Sequence, residues 1–219
     1  MALTKFNFNS FDVTSAASKG LGFNASANGF STIDPGAMTL IKTLTASSSS
    51  SLQFVNGSSD VVLDNTYPIY QFKILDFNPA SDQIGIDFQG STNGGSSYGV
   101  TITSSFFAAF NNESGSEAAL NYQSQRDLAQ STSFQRLCYR TGNGADESCS
   151  GNLTIFNPSS TTFVKHFMSR FQNYNYQDYA DDQYMAGYFN TTSAINAFKF
   201  QATSGNFDAT IKLYGIKDS

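Results

Sequence analysis

NAFKFQATSGNFDATIKLYG, residues 196–215, is the stretch that decides the fold. Apolar side chains at every second position, Phe198 and Phe200 among them, alternate with polar ones up to a small polar turn, and the alternation resumes with Ile211 and Leu213. A period of two residues places one face of a strand in a core and the other face in solvent. The stretch therefore predicts two half-buried strands that are joined as a hairpin by a tight turn.

The same alternation recurs along most of the chain and predicts about ten strands. Strands that each have one solvent-exposed face favour two packed antiparallel sheets. We therefore predict an all-β fold, a two-sheet antiparallel sandwich of jelly-roll-like form, in which only residues 116–128 favour a helical turn or two. The predicted strands cover residues 38–45, 51–55, 69–77, 83–89, 99–103, 106–110, 152–157, 161–171, 184–189, 197–202 and 210–216.

The amino-acid composition also favours sheet structure. The chain has 21 Phe and 11 Tyr but no Trp, and only 13% of its residues are charged. Aromatic side chains suit pleated surfaces, and the small polar residues between the aromatic segments suit turns. The hydrophobic content of 40% is enough to fill the core of one large domain.

The charge and the hydropathy pattern argue against two classes of partner. A formal charge of −5 and a pI near 4.6 argue against nucleic acid, since binding to DNA or RNA depends on clustered Lys and Arg. No apolar run approaches the roughly 18 residues of a membrane span, and residues 1–9 lack the apolar centre of a secretion signal. We expect a protein that is synthesised in the cytoplasm and does not insert into membranes.

Residues 1–37 differ in composition from the rest and predict an extended N-terminal arm ahead of a domain at residues 38–219. Phe6, Phe8 and Phe11 alternate with polar residues as in a strand, and Ser, Ala, Gly and Asn dominate after them. Such a segment has too few apolar residues for a core, but it can add a strand to the sheet edge of a neighbouring subunit. The alternative is a terminal strand of its own domain.

Two cysteines, Cys138 and Cys149, flank a loop whose Gly and Asn residues let its ends approach each other. A disulfide there would add about 2 to 3 kcal/mol in the loop-entropy model, although cytosolic synthesis keeps thiols reduced. The alternative is a pair of packed thiols. We expect no metal ion, because two sulfurs and the distant His166 fall short of four ligands.

The residues that could carry catalysis give no matched set. The single histidine, His166, is in phase with the apolar residues of a predicted strand, and no G-x-S-x-G sequence accompanies it. Glu113, Glu117 and Glu147, the only glutamates, all lie in loop-like segments, whereas a glycosidase needs an acid and a base on rigid elements. We therefore predict a protein that is not an enzyme and needs no cofactor.

Tyrosines alternate with Asn, Gln and Asp in residues 173–184, and this stretch is the best candidate for binding. Flat rings next to amides and carboxylates suit an adaptable recognition loop, on which a sugar ring could stack. The alternatives are that the tyrosines cover the rim of the sandwich or pack on a sister subunit, and that the acidic residues are solvated loop charge and not a calcium site. The candidate binding residues are Tyr174, Tyr176, Asp178, Tyr179 and Tyr184.

Five segments of the chain carry a resemblance to a known class of proteins: DLAQ (127–130), GNLTIFNPSSTTFVKHF (151–167), AGYFNTTSAI (186–195), SGNF (204–207) and IKLYGIK (211–217). Together they resemble structural proteins of aquatic bacteriophages, especially those of cyanobacteria, from about residue 40 to the end. MALTK (1–5) is a weaker match to the start of fibre-type proteins. The resemblance implies a virion role and brings no catalytic residues with it. For such a role we expect partners among the tail or capsid proteins and a homo-oligomer such as a trimer.

The resemblance and the residues favour a non-enzymatic virion structural protein, located in the particle after synthesis in the host cytoplasm. We expect a tail fibre or similar appendage that is anchored by its arm and contacts the host surface, where a glycan is the candidate partner. Two alternatives are a capsid decoration or cement protein, and a carbohydrate-binding module that uses the tyrosine-rich stretch. A polysaccharide-degrading spike ranks last.

Overall fold

The computed structural model describes residues 20–24, 26, 29–33 and 36–217, and every regular element among these residues is a β-strand. The all-β prediction is confirmed. No helix among the described residues could cross a lipid bilayer. Residue contacts divide the chain into two units, with the division between Thr39 and Leu40.

The described residues of the first unit include an antiparallel hairpin, formed by β1 (Gly20–Phe23) and β2 (Phe30–Ile33). The rings of Phe23 and Phe30 pair across it with their centroids 5.2 Å apart. The predicted arm residues Phe6, Phe8 and Phe11 lie outside the described residues, so their role stays a prediction.

Twelve further strands form one antiparallel sheet. Its longest path has the order β3-β14-β5-β10-β11-β9-β6-β13-β4, while β12 pairs with β11, β7 with β12, and β8 with β7. The strands are β3 (Met38–Ser49), β4 (Ser51–Val55), β5 (Ile69–Pro79), β6 (Ile84–Ser91), β7 (Ile102–Asn112), β8 (Ala118–Tyr122), β9 (Gln135–Thr141), β10 (Cys149–Phe156), β11 (Lys165–Asn175), β12 (Tyr179–Phe189), β13 (Ala197–Ala202) and β14 (Phe207–Ile216).

The sheet is so strongly curved that it is nearly barrel-shaped. Strands β3 and β4 lie at opposite ends of the strand order, yet Ser50 alone separates them in sequence. The two ends of the sheet must therefore be neighbours in space. The single register pair Asn175↔Thr141 joins β11 to β9, so the two facing halves belong to one continuous sheet, whereas two separate sheets were predicted.

The predicted hairpin at the end of the chain is wrong. Strands β13 and β14 have the expected alternation, but β13 pairs with β4 and β6, and β14 pairs with β5 and, at the sheet edge, with β3. Residues 203–206 therefore connect two strands that face each other across the interior. The side chain of Asp208 accepts a hydrogen bond of 2.6 Å from the backbone N–H of Ser48, which ties this connection to the end of β3.

Phenylalanine rings fill the space between the two halves of the sheet. Phe72 of β5 contacts Phe198 and Phe200 of β13 at centroid distances of 5.4 and 5.0 Å. Phe88 of β6 contacts Phe167 of β11 edge-on at 5.2 Å. All five side chains are almost completely buried, so the face predicted for β13 to bury is the face in the core.

The helical turn predicted within residues 116–128 is also wrong. Residues 118–122 form β8, which pairs with β7 along its whole length, for example Leu120 with Ala109. Alanine has the highest helix propensity of the amino acids, but propensity is a weak determinant of structure, and pairing with the edge of β7 overrides it here.

Candidate functional site

A cleft of about 400 Å³ opens between β9 and the sheet edge formed by β7, β8 and β12. The two sides meet beside the cleft at Phe106 of β7 and Tyr139 of β9, whose ring centroids are 5.7 Å apart. The volume lies within the range of natural small-ligand sites, about 300 to 1,000 Å³. Rings, amides, two carboxylates and two guanidinium groups line the cleft, so it offers both stacking surfaces and hydrogen bonds.

The hairpin of β11 and β12 brings one end of the predicted binding stretch to this cleft. Its turn has three residues, 176–178, and closes through a 2.9 Å hydrogen bond from the backbone N–H of Asp178 to the carbonyl oxygen of Asn175. Asp178 has a φ of 61°, the left-handed conformation that ends such a turn. The stretch that the sequence predicted to be a loop is therefore mostly strand, with Gln177 and Tyr179 at the cleft.

Tyr179 forms an aromatic wall of the cleft together with Phe110. The two rings meet edge to face with their centroids 5.7 Å apart. The hydroxyl group of Tyr179 donates a 2.5 Å hydrogen bond to Oε2 of Glu117, which lies just before β8. This bond fixes the ring and gives the Glu117 carboxylate a partner.

Asp181 lies two residues farther along β12, on the same face, and is only 4% exposed. Its Oδ2 accepts a 2.9 Å hydrogen bond from Nδ2 of Asn175, and Nε2 of Gln183 lies 3.5 Å away. Burial raises the pKa of the Asp181 carboxyl group, and the bonds from these two amides oppose that shift only in part. The cleft therefore contains a carboxyl group that holds its proton more tightly than an ordinary aspartate does.

Tyr139 fixes β9 against the opposite strands. Its backbone N–H donates to Oε1 of Gln183 at 3.0 Å, and its carbonyl oxygen accepts bonds from the side-chain amides of Gln183 and Asn173. Burial, with a further contribution from the charge of Asp181, raises the pKa of the Tyr139 hydroxyl group to about 12. The guanidinium carbon of Arg126 lies 5.0 Å from the centre of the Tyr139 ring, in the geometry of a cation–π contact.

Two predicted binding residues, Tyr174 and Asp178, interact with each other beside the turn. The hydroxyl group of Tyr174 donates a 3.3 Å hydrogen bond to Oδ1 of Asp178. Desolvation, followed by the charges of Glu113 and Asp178, raises the pKa of Tyr174 to about 12. Tyr176 lies in the turn itself, where its backbone N–H donates to the carbonyl oxygen of Arg140 at 3.2 Å.

Tyr184, the fifth predicted residue, points away from the cleft. It lies on the opposite face of β12 from Asp181, where its ring stacks on Phe107 at 4.8 Å with an angle of 7° between the planes. Its hydroxyl group donates to Oδ2 of Asp182, which also forms an ion pair of 2.7 Å with Arg170. The alternation of β12 therefore divides the predicted stretch between two surfaces.

Within the described residues, neither the two cysteines nor the histidine belongs to a cluster of metal-ligating side chains. Cys138 and Cys149 are buried, free thiols, and burial raises the pKa of Cys138 well above its usual range, with a further rise from its hydrogen bond to Cys149. His166 is exposed, and its ring lies 6.2 Å from that of Tyr188. No group of three or more His, Cys, Asp or Glu within the described part of the chain could hold a metal ion. The predicted disulfide stays a prediction for oxidising conditions.

A second hollow, of about 530 Å³, has a different chemistry. It is more open than the cleft, and its lining of Thr, Ser, Gly, Asn and Val contains no charged side chain. Its single ring, Tyr98, has its hydroxyl group bonded to Gln53 at 2.9 Å. The cleft is therefore the better candidate site.

Sequence reasoning missed the arginines of the cleft. Three of the four arginines in the chain lie at positions 126, 136 and 140, within 15 residues of one another, and this clustering was the available signal. Arg126 and Arg140 line the cleft, while Arg136 donates a hydrogen bond to the buried carboxylate of Asp87.

Comparison with protein families and with curated proteins gives no match for this chain. No protein family matches the sequence, and no curated protein is significantly similar to it. The function must therefore be argued from the residues and their geometry.

Proposed function

We propose that the protein is a non-catalytic virion subunit of the tail-fibre or appendage type, and that its cleft binds a saccharide of the host surface. The virion setting rests on the sequence resemblance to structural proteins of aquatic phages. The saccharide rests on the chemistry of the cleft, which supports recognition more directly than any other surface of the described residues.

One observation carries the saccharide proposal, namely that an aromatic wall and several amides line the same cleft. The ring pair of Tyr179 and Phe110 offers an apolar surface for the C–H face of a sugar ring. The amide side chains of Gln123, Gln125 and Gln177 lie around it and can both donate to and accept from sugar hydroxyl groups. This combination is typical of adaptable recognition surfaces.

The contacts of the two carboxylates in the cleft favour binding over catalysis. Glu117 accepts the hydroxyl proton of Tyr179, and Asp181 accepts bonds from the Asn175 and Gln183 amides. Both groups therefore already accept hydrogen bonds from side chains of the protein. Glu117 also lies outside the strands, whereas a glycosidase holds its two carboxyl groups on rigid elements.

A second candidate function, glycoside hydrolysis, is favoured by one specific observation. Burial raises the pKa of Asp181, and a raised carboxyl pKa is a feature of the general acid in glycosidases. The two functions differ in their products, because a hydrolase shortens the oligosaccharide that it binds. Chromatography of oligosaccharides after incubation with the protein separates them, and shortened chains would replace the binding proposal with the enzymatic one.

Two tyrosines of the predicted stretch give a matched test of saccharide binding. We expect Tyr179→Ala to weaken binding of host surface polysaccharide about tenfold or more, since it removes half of the aromatic wall. Tyr184→Ala, on the opposite face of β12, is the control and should bind like the unchanged protein. Calorimetry or biolayer interferometry with purified polysaccharide measures both variants, and thermal unfolding checks that both are folded.

Equal binding by the two variants, or loss of binding only in Tyr184→Ala, would contradict the assignment of the saccharide site to the cleft.

The virion setting has its own test, because the number of copies of the protein per particle distinguishes its possible locations. A copy number that is a multiple of a small number indicates a tail protein, whereas hundreds of copies per particle indicate a capsid decoration protein. Absence of the protein from purified particles would contradict the virion proposal.

A further inference from the structure

We infer that the cleft selects acidic saccharides, and that Arg126 and Arg140 bind the carboxylate or sulfate group of the sugar. The inference rests on the saccharide-binding function proposed above and names the class of ligand. It follows from the hydrogen-bonding state of the charged side chains that line the cleft.

Arg126 has a partly desolvated guanidinium group with unused donors. Its guanidinium carbon lies 5.0 Å from the centre of the Tyr139 ring, and burial lowers its pKa, with the charge of Arg136 adding to that effect. Within the described residues its side chain donates no hydrogen bond and forms no ion pair. A guanidinium group that has lost part of its hydration without gaining an acceptor favours an anionic partner.

Arg140 presents a second unpaired guanidinium group from the end of β9. Its φ of 61° lies in the left-handed region, which is costly for a residue with a side chain. The carbonyl oxygen of Arg140 accepts the backbone N–H of Tyr176 at 3.2 Å, so the turn of the β11–β12 hairpin holds the residue in place. Its exposed side chain has no hydrogen-bond or ion-pair partner among the described residues.

The carboxylates near the two arginines already have other partners. Glu117 accepts from Tyr179, Asp181 accepts from the Asn175 and Gln183 amides, and Asp87 accepts from Arg136. The charge of Arg140 does act on Asp181, but no direct contact joins them. Among the charged side chains that line the cleft, only the two arginines have no hydrogen-bond or ion-pair partner within the described residues, although the chain as a whole has a net charge of −5.

The geometry also places the uncharged part of such a ligand. Two guanidinium groups at one side of the cleft would hold the acidic group, because their planar donors match a carboxylate or a sulfate. The ring wall and the glutamine amides would then contact the sugar ring and its hydroxyl groups. An acidic polysaccharide on a host surface presents such a group on successive sugars.

The test compares charged and neutral forms of the same oligosaccharides. The probes are short oligogalacturonates and their methyl esters for the carboxylate, and a sulfated galacto-oligosaccharide and its desulfated parent for the sulfate. We expect the unchanged protein to bind at least one acidic form about tenfold or more tighter than its neutral counterpart. Raising NaCl from about 0.05 M to about 0.5 M should reduce that preference.

The double variant Arg126→Gln, Arg140→Gln should lose the preference for the acidic form while its thermal unfolding stays cooperative. Arg170→Gln is the matched control, since it removes a guanidinium group from the opposite face of the sheet and should retain the preference. If Arg126→Gln, Arg140→Gln does not fold, the single variant Arg140→Gln, at an exposed side chain, gives the same comparison.

The outcomes separate this inference from the proposal on which it rests. Binding of neutral and acidic forms with equal affinity overturns the acidic preference and leaves saccharide binding in place. Acidic preference that persists in the double variant overturns the role of the two arginines. Binding of no saccharide, acidic or neutral, overturns the proposed function as well.

Discussion

Two neighbouring aspartates show how far the face of a strand determines the chemistry of a side chain. Asp181 points into the cleft, and burial raises the pKa of its carboxyl group. Asp182 points to the outer face, where the hydrogen bonds from Arg170 are the main cause that lowers the pKa of its carboxyl group. The alternation of β12 alone separates the two environments.

This difference predicts opposite effects of pH on stability. A carboxyl group with a raised pKa in the folded state binds its proton more tightly there, so its contribution to the free energy of unfolding rises as pH falls from neutral toward about 4. We therefore expect the stability of the unchanged protein, relative to Asp181→Asn, to increase over that interval. Urea unfolding of both proteins at several pH values measures it.

Asp182→Asn is the control with the opposite sign. A lowered pKa in the folded state contributes stability above the unfolded value of about 3.9, and that contribution is lost as pH falls through the folded pKa. The stability of the unchanged protein relative to Asp182→Asn should therefore decrease below about pH 4. The effect will be small because the Arg170 side chain is 62% exposed. Parallel curves for the two variants would contradict the assignment of faces.

At the scale of elements, alternation predicted which side chains are buried but not which strands pair. Phe198 and Phe200 lie in the core as predicted, and so do Ile211 and Leu213. The predicted hairpin fails because the same pattern fits two strands that face each other across a core. A tight turn constrains only the residues beside it, whereas the partners of β13 and β14 depend on strands more than a hundred residues away.

Strand β9 was missed because its residues do not alternate. Leu137, Cys138 and Tyr139 are buried in succession, since this strand is covered on both sides. Alternation of apolar and polar residues reveals only those strands that have one buried face and one solvent-exposed face. The same limit explains why the predicted site was incomplete, because Tyr139 and Phe110 reach Tyr179 only through the folding of distant strands.

The burial of β13 gives a prediction for the element. Phe200→Ala should lower the free energy of unfolding by about 3 to 5 kcal/mol, because it leaves a cavity between Phe54, Phe72 and Phe88. Gln201→Ala, the next residue on the opposite face, should change it by less than about 1 kcal/mol. Chemical denaturation measures both, and equal losses at the two positions would mean that the inward face is assigned wrongly.

At the scale of the whole molecule, the chain combines a compact sheet with a preceding unit of different composition. The predicted domain boundary after residue 37 and the contact boundary after Thr39 differ by two residues. The proposal that the first unit anchors the protein in a particle is separate from the proposal for the cleft, which lies wholly within the second unit.

Deleting residues 1–37 tests the anchoring role. We expect the remaining chain to unfold at nearly the same temperature as the full chain and to bind the same saccharides, because the core and the cleft lie outside the deletion. It should no longer be incorporated into particles when it is produced during infection. Normal incorporation of the shortened chain, measured by mass spectrometry of purified particles, would contradict an anchoring arm.

The link at Ser50 has a mechanical consequence. A connection of one residue between the first and last strands of the sheet order leaves the backbone no slack there. Movement of either end strand is therefore transmitted directly to the other through the backbone.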